Sequence, residues 1–157
     1  MTAASTTDIR IAAVCTLALY VKYLTTLFIQ GGTKFKTATR APEDMAFAQR
    51  NPQQTAFVAE TSPAKIEEAK ATELRWSRIV GNDLENIPFG VILAWVSIIA
   101  GGNGTATSVC FVVFTIARIV HSVAFAHGVF LPRTIAFQIG VLSTLALVIN
   151  AVVGSFN

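Results

Sequence analysis

The sequence predicts an all-α integral membrane protein: a four-helix bundle forming one domain over all 157 residues. Two observations carry this. Hydrophobic residues make up 53% of the chain and charged residues only 13%, against roughly 25% charged in soluble domains. Four apolar windows, 9–29, 79–100, 109–126 and 135–153, each approach the roughly 20 residues that a helix needs to cross hydrocarbon.

The first window lacks a preceding basic stretch and a following small-residue cleavage site, so it reads as a retained helix rather than a signal peptide. Allowing for the flanking residues, the spans fall at about 9–29, 74–100, 107–127 and 133–154, with a long loop at about 31–62. Gly31, Gly32, Pro42 and Pro52 punctuate that loop. Lys34, Lys36, Arg40, Arg50, Lys65 and Lys70 lie between the first two windows and Arg133 between the last two. The positive-inside rule therefore puts both connections in the cytoplasm and both termini on the other side.

The second helix has a readable start. Ser62 is suited to cap a helix and Pro63 to open it, so one long helix is expected from there, entering the bilayer near residues 75–80 with Pro88 inside the span. "GGNGTATS" then makes a tight turn, in which Asn103 also fits a glycosylation sequon. In "HGVFLPRT", Gly128 ends the third helix and Pro132 opens the fourth. Cys15 and Cys110 fall inside spans and read as small hydrophobes, with no disulfide and no metal site expected.

The charges inside the second and third windows demand an explanation. Helical neighbours lie three and four residues apart, so Arg75, Arg78, Asn82 and Glu85 form one stripe and Arg118, His121 and Phe125 another. A charge at mid-membrane costs at least about 2.5 kcal/mol, so these groups must pair or reach water. Arg118 is expected to pair with Asp83 or Glu85, and Arg78 with Asn82 or Glu85. Lys22 must snorkel, pair or line a polar interior. A buried ionic clasp and a polar ligand site both fit. The excess of groups over what a clasp needs favours a small zwitterionic ligand, with carboxylates for the arginines and an amine for the acids.

Three motifs then carry a resemblance. "RWSRIVGNDLENIPF" resembles the second-helix motif E-R-x-x-R-x-x-x-N-D-x-E-N of the membrane-associated proteins in eicosanoid and glutathione metabolism. "ARIVHSVAFAHGVFLPRT" is similar to that family's A-R-x-x-H-x-x-A-Y motif and the arginine after it, and "APEDMAF" to its N-P-E-D segment, especially in the microsomal glutathione transferase branch. The resemblance implies a homotrimer that binds glutathione as co-substrate and acts on a hydrophobic electrophile or lipid hydroperoxide. It implies glutathione contacts from Arg75, Arg78, Asn82, Glu85, Arg118 and His121, with Arg133 as the catalytic group facing the thiol. Asp83 reads as a structural ion-pair partner, and Lys36 or Arg40 as a basic contact from the end of the first helix. The membrane implied is the endoplasmic reticulum or outer mitochondrial membrane in a eukaryote, or the inner membrane in a bacterium.

The chain also departs from the family pattern. Phe125 stands where a tyrosine is usual and cannot donate a hydrogen bond to sulfur; Phe137 replaces another tyrosine, and Val80 a histidine. Thr134 offers a neighbouring hydroxyl. Two other readings compete: a non-enzymatic or eicosanoid-synthase-like relative whose pocket holds lipid, and a small transporter or proton pathway.

Overall fold

The computed structural model describes residues 4–37 and 62–156, which form four α-helices and no strand. They are α1 (Thr6–Thr37), α2 (Pro63–Ile99), α3 (Gly104–Ala126) and α4 (Phe130–Ser155). The "APEDMAF" segment and Arg40 lie outside the described residues, as does the side chain of Lys36.

Each helix begins and ends for local reasons. Ser5 and Asp8 close a reciprocal cap on α1: the Ser5 N–H donates to Asp8 Oδ2 at 2.9 Å and the Asp8 N–H donates to Ser5 Oγ at 3.3 Å. At α2, the N–H groups of Lys65 and Ile66 donate to the Ser62 carbonyl at 3.0 and 3.2 Å, with Pro63 in the first position, where its missing N–H leaves no bond unmade. Asn103 caps α3 by accepting from the Ala106 N–H at 2.9 Å, so the residue that fits a sequon serves as a helix cap.

The two short turns share one device. After α2, Gly101 adopts φ 75°, and the N–H groups of Gly101 and Gly102 return to the carbonyls of Ile98 and Ser97. After α3, Gly128 adopts φ 71°, and the N–H groups of Gly128 and Val129 return to Phe125 and Ala124. Both are Schellman closures, which need a left-handed residue that glycine supplies without strain. α4 then opens at Phe130, two residues before Pro132, which sits in the first turn where no N–H is required.

α1 is longer than the sequence suggested. Gly31 and Gly32 do not start the loop; the helix continues through them to Thr37. Glycine weakens a helix by about 1 kcal/mol, and contacts with α2 offset this here. Gln30 Nε2 donates to Ser77 Oγ at 3.1 Å and Thr37 Oγ1 to Glu73 Oε2 at 2.6 Å. These contacts belong to a compact unit comprising Leu24–Val80.

The second unit takes the chain up to Tyr23 and from Gly81 onward. Its core gathers Ala12, Cys15 and Leu19 from α1, Ile87 and Ala94 from α2, Phe111 and Phe114 from α3, and Leu147 from α4. Outward-facing positions are apolar too, including Leu17, Phe89, Ile116, Val123, Leu142 and Ile149. An apolar exterior over an apolar core suits lipid as the surrounding solvent. Among the described residues, α1 (over Thr6–Lys34), α3 and α4 are long and apolar enough to cross a membrane. Four such spans were expected. α2 has the length, at 37 residues, but Asn82, Asp83, Glu85 and Asn86 dilute its apolar stretch.

Near the α2–α3 turn, Asn150 of α4 ties three segments together. Its Nδ2 lies 2.9 Å from Ser97 Oγ, 2.9 Å from Thr107 Oγ1 and 3.0 Å from the Asn103 carbonyl, while its Oδ1 accepts from the Asn103 N–H at 3.1 Å.

Candidate functional site

Part of the charge set forms a buried clasp. Asp83 is fully buried, and one of its carboxylate oxygens, Oδ1, accepts from Lys22 Nζ of α1 and from Arg118 Nη2 of α3, the latter at 3.2 Å. Ser122 Oγ approaches the same oxygen at 3.5 Å. Arg118, only 1% exposed, also donates to the side-chain oxygen of Asn82. Of the two acids open to Arg118 from spacing, Asp83 takes it. Lys22, whose partner the sequence left undefined, joins the same acid from a different helix.

The clasp uses helix periodicity in a particular way. Arg118 and Ser122 are four apart on α3, so both side chains reach the position where α2 presents Asp83. Neighbouring Asn82 turns its amide oxygen to the same guanidinium. The guanidinium is not fully used: Arg118 Nε is buried without a hydrogen-bond partner, and so is Nε2 of His121.

His121 connects the clasp to the end of the bundle where α3 gives way to α4. Its Nδ1 lies 3.0 Å from the backbone carbonyl of Arg133. A carbonyl only accepts, so Nδ1 carries the proton and donates. The imidazole meets the Phe125 ring edge-on at 5.9 Å and 73°, and the Phe137 ring at 6.0 Å. Arg133 itself sends its guanidinium back over Phe125, with Cζ 4.5 Å from the ring centroid, and lies 5.6 Å from the centroid of Phe130.

The structure thus joins some of the sequence-selected residues and separates others. Asn82, Asp83 and Arg118 meet in the clasp, and His121 meets Arg133 through the backbone. Arg75 and Arg78 are exposed on the part of α2 belonging to the Leu24–Val80 unit, and Glu85 is exposed further along the helix. Thr134 Oγ1 donates to the Phe130 carbonyl at 3.1 Å, so its hydroxyl proton serves the helix. Two contributors escaped sequence reading: Lys22 as part of the clasp, and Phe125 as a support for Arg133. No cluster of three His, Cys, Asp or Glu side chains in metal-binding geometry occurs among the described residues.

Three helices of membrane-spanning length and apolarity, with a charged clasp buried where α1, α2 and α3 meet, define a helical integral membrane protein. The MAPEG family model matches residues 12–153, nearly the whole chain, and the protein belongs to the MAPEG family. That family includes glutathione transferases and also members without enzymatic activity. No curated protein matches the chain closely.

Proposed function

We propose that this protein is a glutathione-dependent enzyme of the microsomal glutathione transferase branch, working as a homotrimer on hydrophobic electrophiles or lipid hydroperoxides. The observation that carries the reading is that the clasp consumes only part of the charge set. Lys22, Asp83, Asn82 and Arg118 bond to one another, while Arg78, Glu85 and Arg133 stand outside that cluster. A chain that needed only a clasp would have no use for this surplus of charge.

In this reading the second-helix arginines hold the carboxylates of glutathione, Glu85 its amine, and Arg133 its sulfur. A free thiol titrates near 8.5, so little is thiolate at neutral pH. A guanidinium beside the sulfur favours the anion and lowers that value. The thiolate then attacks an electrophilic carbon, forming a C–S bond as the leaving group departs. With a hydroperoxide it attacks the terminal oxygen instead, releasing an alcohol; the resulting sulfenic acid condenses with a second glutathione to give the disulfide and water. An apolar second substrate reaches such a site through the bilayer.

The test is ultraviolet difference absorbance for thiolate when glutathione is added to the purified protein in detergent. A saturable signal that Arg133→Ala abolishes, with glutathione still bound by calorimetry, supports the reading. Binding without any thiolate signal in the unaltered protein would overturn it.

One feature favours a second reading, a lipid pocket without catalysis. An apolar groove of about 320 Å³ runs between α1 and α2, lined by Thr16, Tyr20, Ile87, Pro88 and Val91 with Asp83 among its walls. Glutathione-independent retention of a lipid, together with no thiolate, would select it.

A further inference from the structure

The geometry around Arg133 points to a role for Phe125 that its missing hydroxyl conceals: we propose that Phe125, helped by Phe130, is a positioning residue that holds the Arg133 guanidinium by its flat face. The guanidinium carbon Cζ lies over the Phe125 ring, 4.5 Å from its centroid, while the second ring stands 5.6 Å away. All the N–H donors of a guanidinium lie in its plane, so contact through the face leaves the donor edge available for an anion. An arginine at the start of a membrane helix otherwise has long rotamer freedom and a water-filled exit to snorkel into. The aromatic contact replaces that freedom with one orientation.

The support is built from both ends of the residue. His121 Nδ1–H fixes the Arg133 backbone carbonyl at 3.0 Å, and the same imidazole packs edge-on against Phe125 at 5.9 Å. Phe125 is therefore braced by the residue that anchors the backbone of its cation. Phe125 and Phe130 flank the Gly128 turn that closes α3, so the turn delivers both rings to one side chain. A phenylalanine keeps the aromatic face of a tyrosine without a polar atom to satisfy. Its presence here is thus compatible with an active Arg133. The inference rests on the proposed role of Arg133 toward sulfur only where it predicts thiolate; the cation–aromatic contact can be read separately.

The experiment uses the full chain in detergent, with Phe125→Leu, Phe125→Tyr, Phe130→Leu and Arg133→Ala, and glutathione as the probe. The first readout is the ring-current shift of the Arg133 side-chain resonances by NMR, which needs no ligand. An upfield shift in the unaltered protein that Phe125→Leu removes and Phe125→Tyr keeps is expected; absence of the shift in the unaltered protein overturns the contact. The second readout is thiolate absorbance at saturating glutathione. Phe125→Leu should lower it about tenfold and Phe125→Tyr should leave it within about twofold, with glutathione affinity little changed in both. Full thiolate in Phe125→Leu after its ring-current shift is lost overturns the positioning role while leaving the proposed function intact. Absence of thiolate in the unaltered protein overturns the proposed function and with it the role toward sulfur, whereas the ring-current result still judges the contact. If Phe125→Leu does not fold, the unaltered spectrum, Phe125→Tyr and a partial loss in Phe130→Leu decide between the same outcomes.

Discussion

Asp83 Oδ1 accepts from Lys22 and Arg118 at once, so a single carboxylate bridges α1 and α3 from its place on α2. The two cations are not equivalent partners. Arg118 is shared with Asn82, while the observed Lys22 bond runs to Asp83. Asp83→Asn leaves two buried cations facing a neutral amide and should destabilise the protein by about 3–5 kcal/mol. Lys22→Met leaves a neutral Asp83–Arg118 pair and should change stability by less than about 1.5 kcal/mol. Thermal unfolding in detergent separates the two; equal losses would contradict the ranking.

Asn150 draws together the end of α2, the turn and the start of α3. Asn150→Leu removes the amide and strands the Asn103 N–H, which now donates to it at 3.1 Å. We expect a loss of about 1–2 kcal/mol and faster hydrogen exchange at the N-terminal turn of α3. Unchanged exchange there would show that Ser97 and Thr107, 2.8 Å apart through their hydroxyls, hold the corner without it.

At Gly128 the positive φ is a direct demand on the backbone. Gly128→Ala forces a Cβ into the left-handed region and should lower stability by about 1 kcal/mol. Because the turn also places Phe130 and Arg133, thiolate formation should fall in the same variant. Gly31→Ala, in a helical position with no atom near the added Cβ, should instead be neutral or stabilising in thermal melts.

Glu85 is exposed and lies outside the clasp, so its carboxylate tests binding with little structural consequence. Glu85→Gln should keep stability within about 0.5 kcal/mol. Its glutathione affinity, measured by calorimetry, should fall about tenfold if the carboxylate meets the ligand's amine. Unchanged affinity would remove Glu85 from the proposed site.

What the sequence disclosed followed from short-range rules. Ser62 and Pro63 marked the start of α2, and Gly128 the end of α3, because caps and left-handed closures depend on a few adjacent residues. The pairing of Arg118 was narrowed to two acids by helix periodicity, and packing chose between them. Lys22 escaped because its acid lies 61 residues away on another helix, beyond anything periodicity can relate. The extension of α1 past Gly31 and Gly32 escaped for a similar reason, since Ser77 and Glu73 are tertiary partners. Phe125 was legible only as a lost hydroxyl; its service to Arg133 depends on the chain reversing at Gly128.

The clasp also has an order in time. A chain made from its N-terminus delivers Lys22 first, Asp83 61 residues later and Arg118 a further 35 residues on. Until α2 emerges, α1 carries an unmatched ammonium, a burden of about 2.5–3.5 kcal/mol at the bilayer centre. The running charge of the nascent cluster goes from positive to neutral and back to positive as base, acid and base arrive. The acid that matches Lys22 thus comes with the second helix, and Arg118 follows once its counterion has been made.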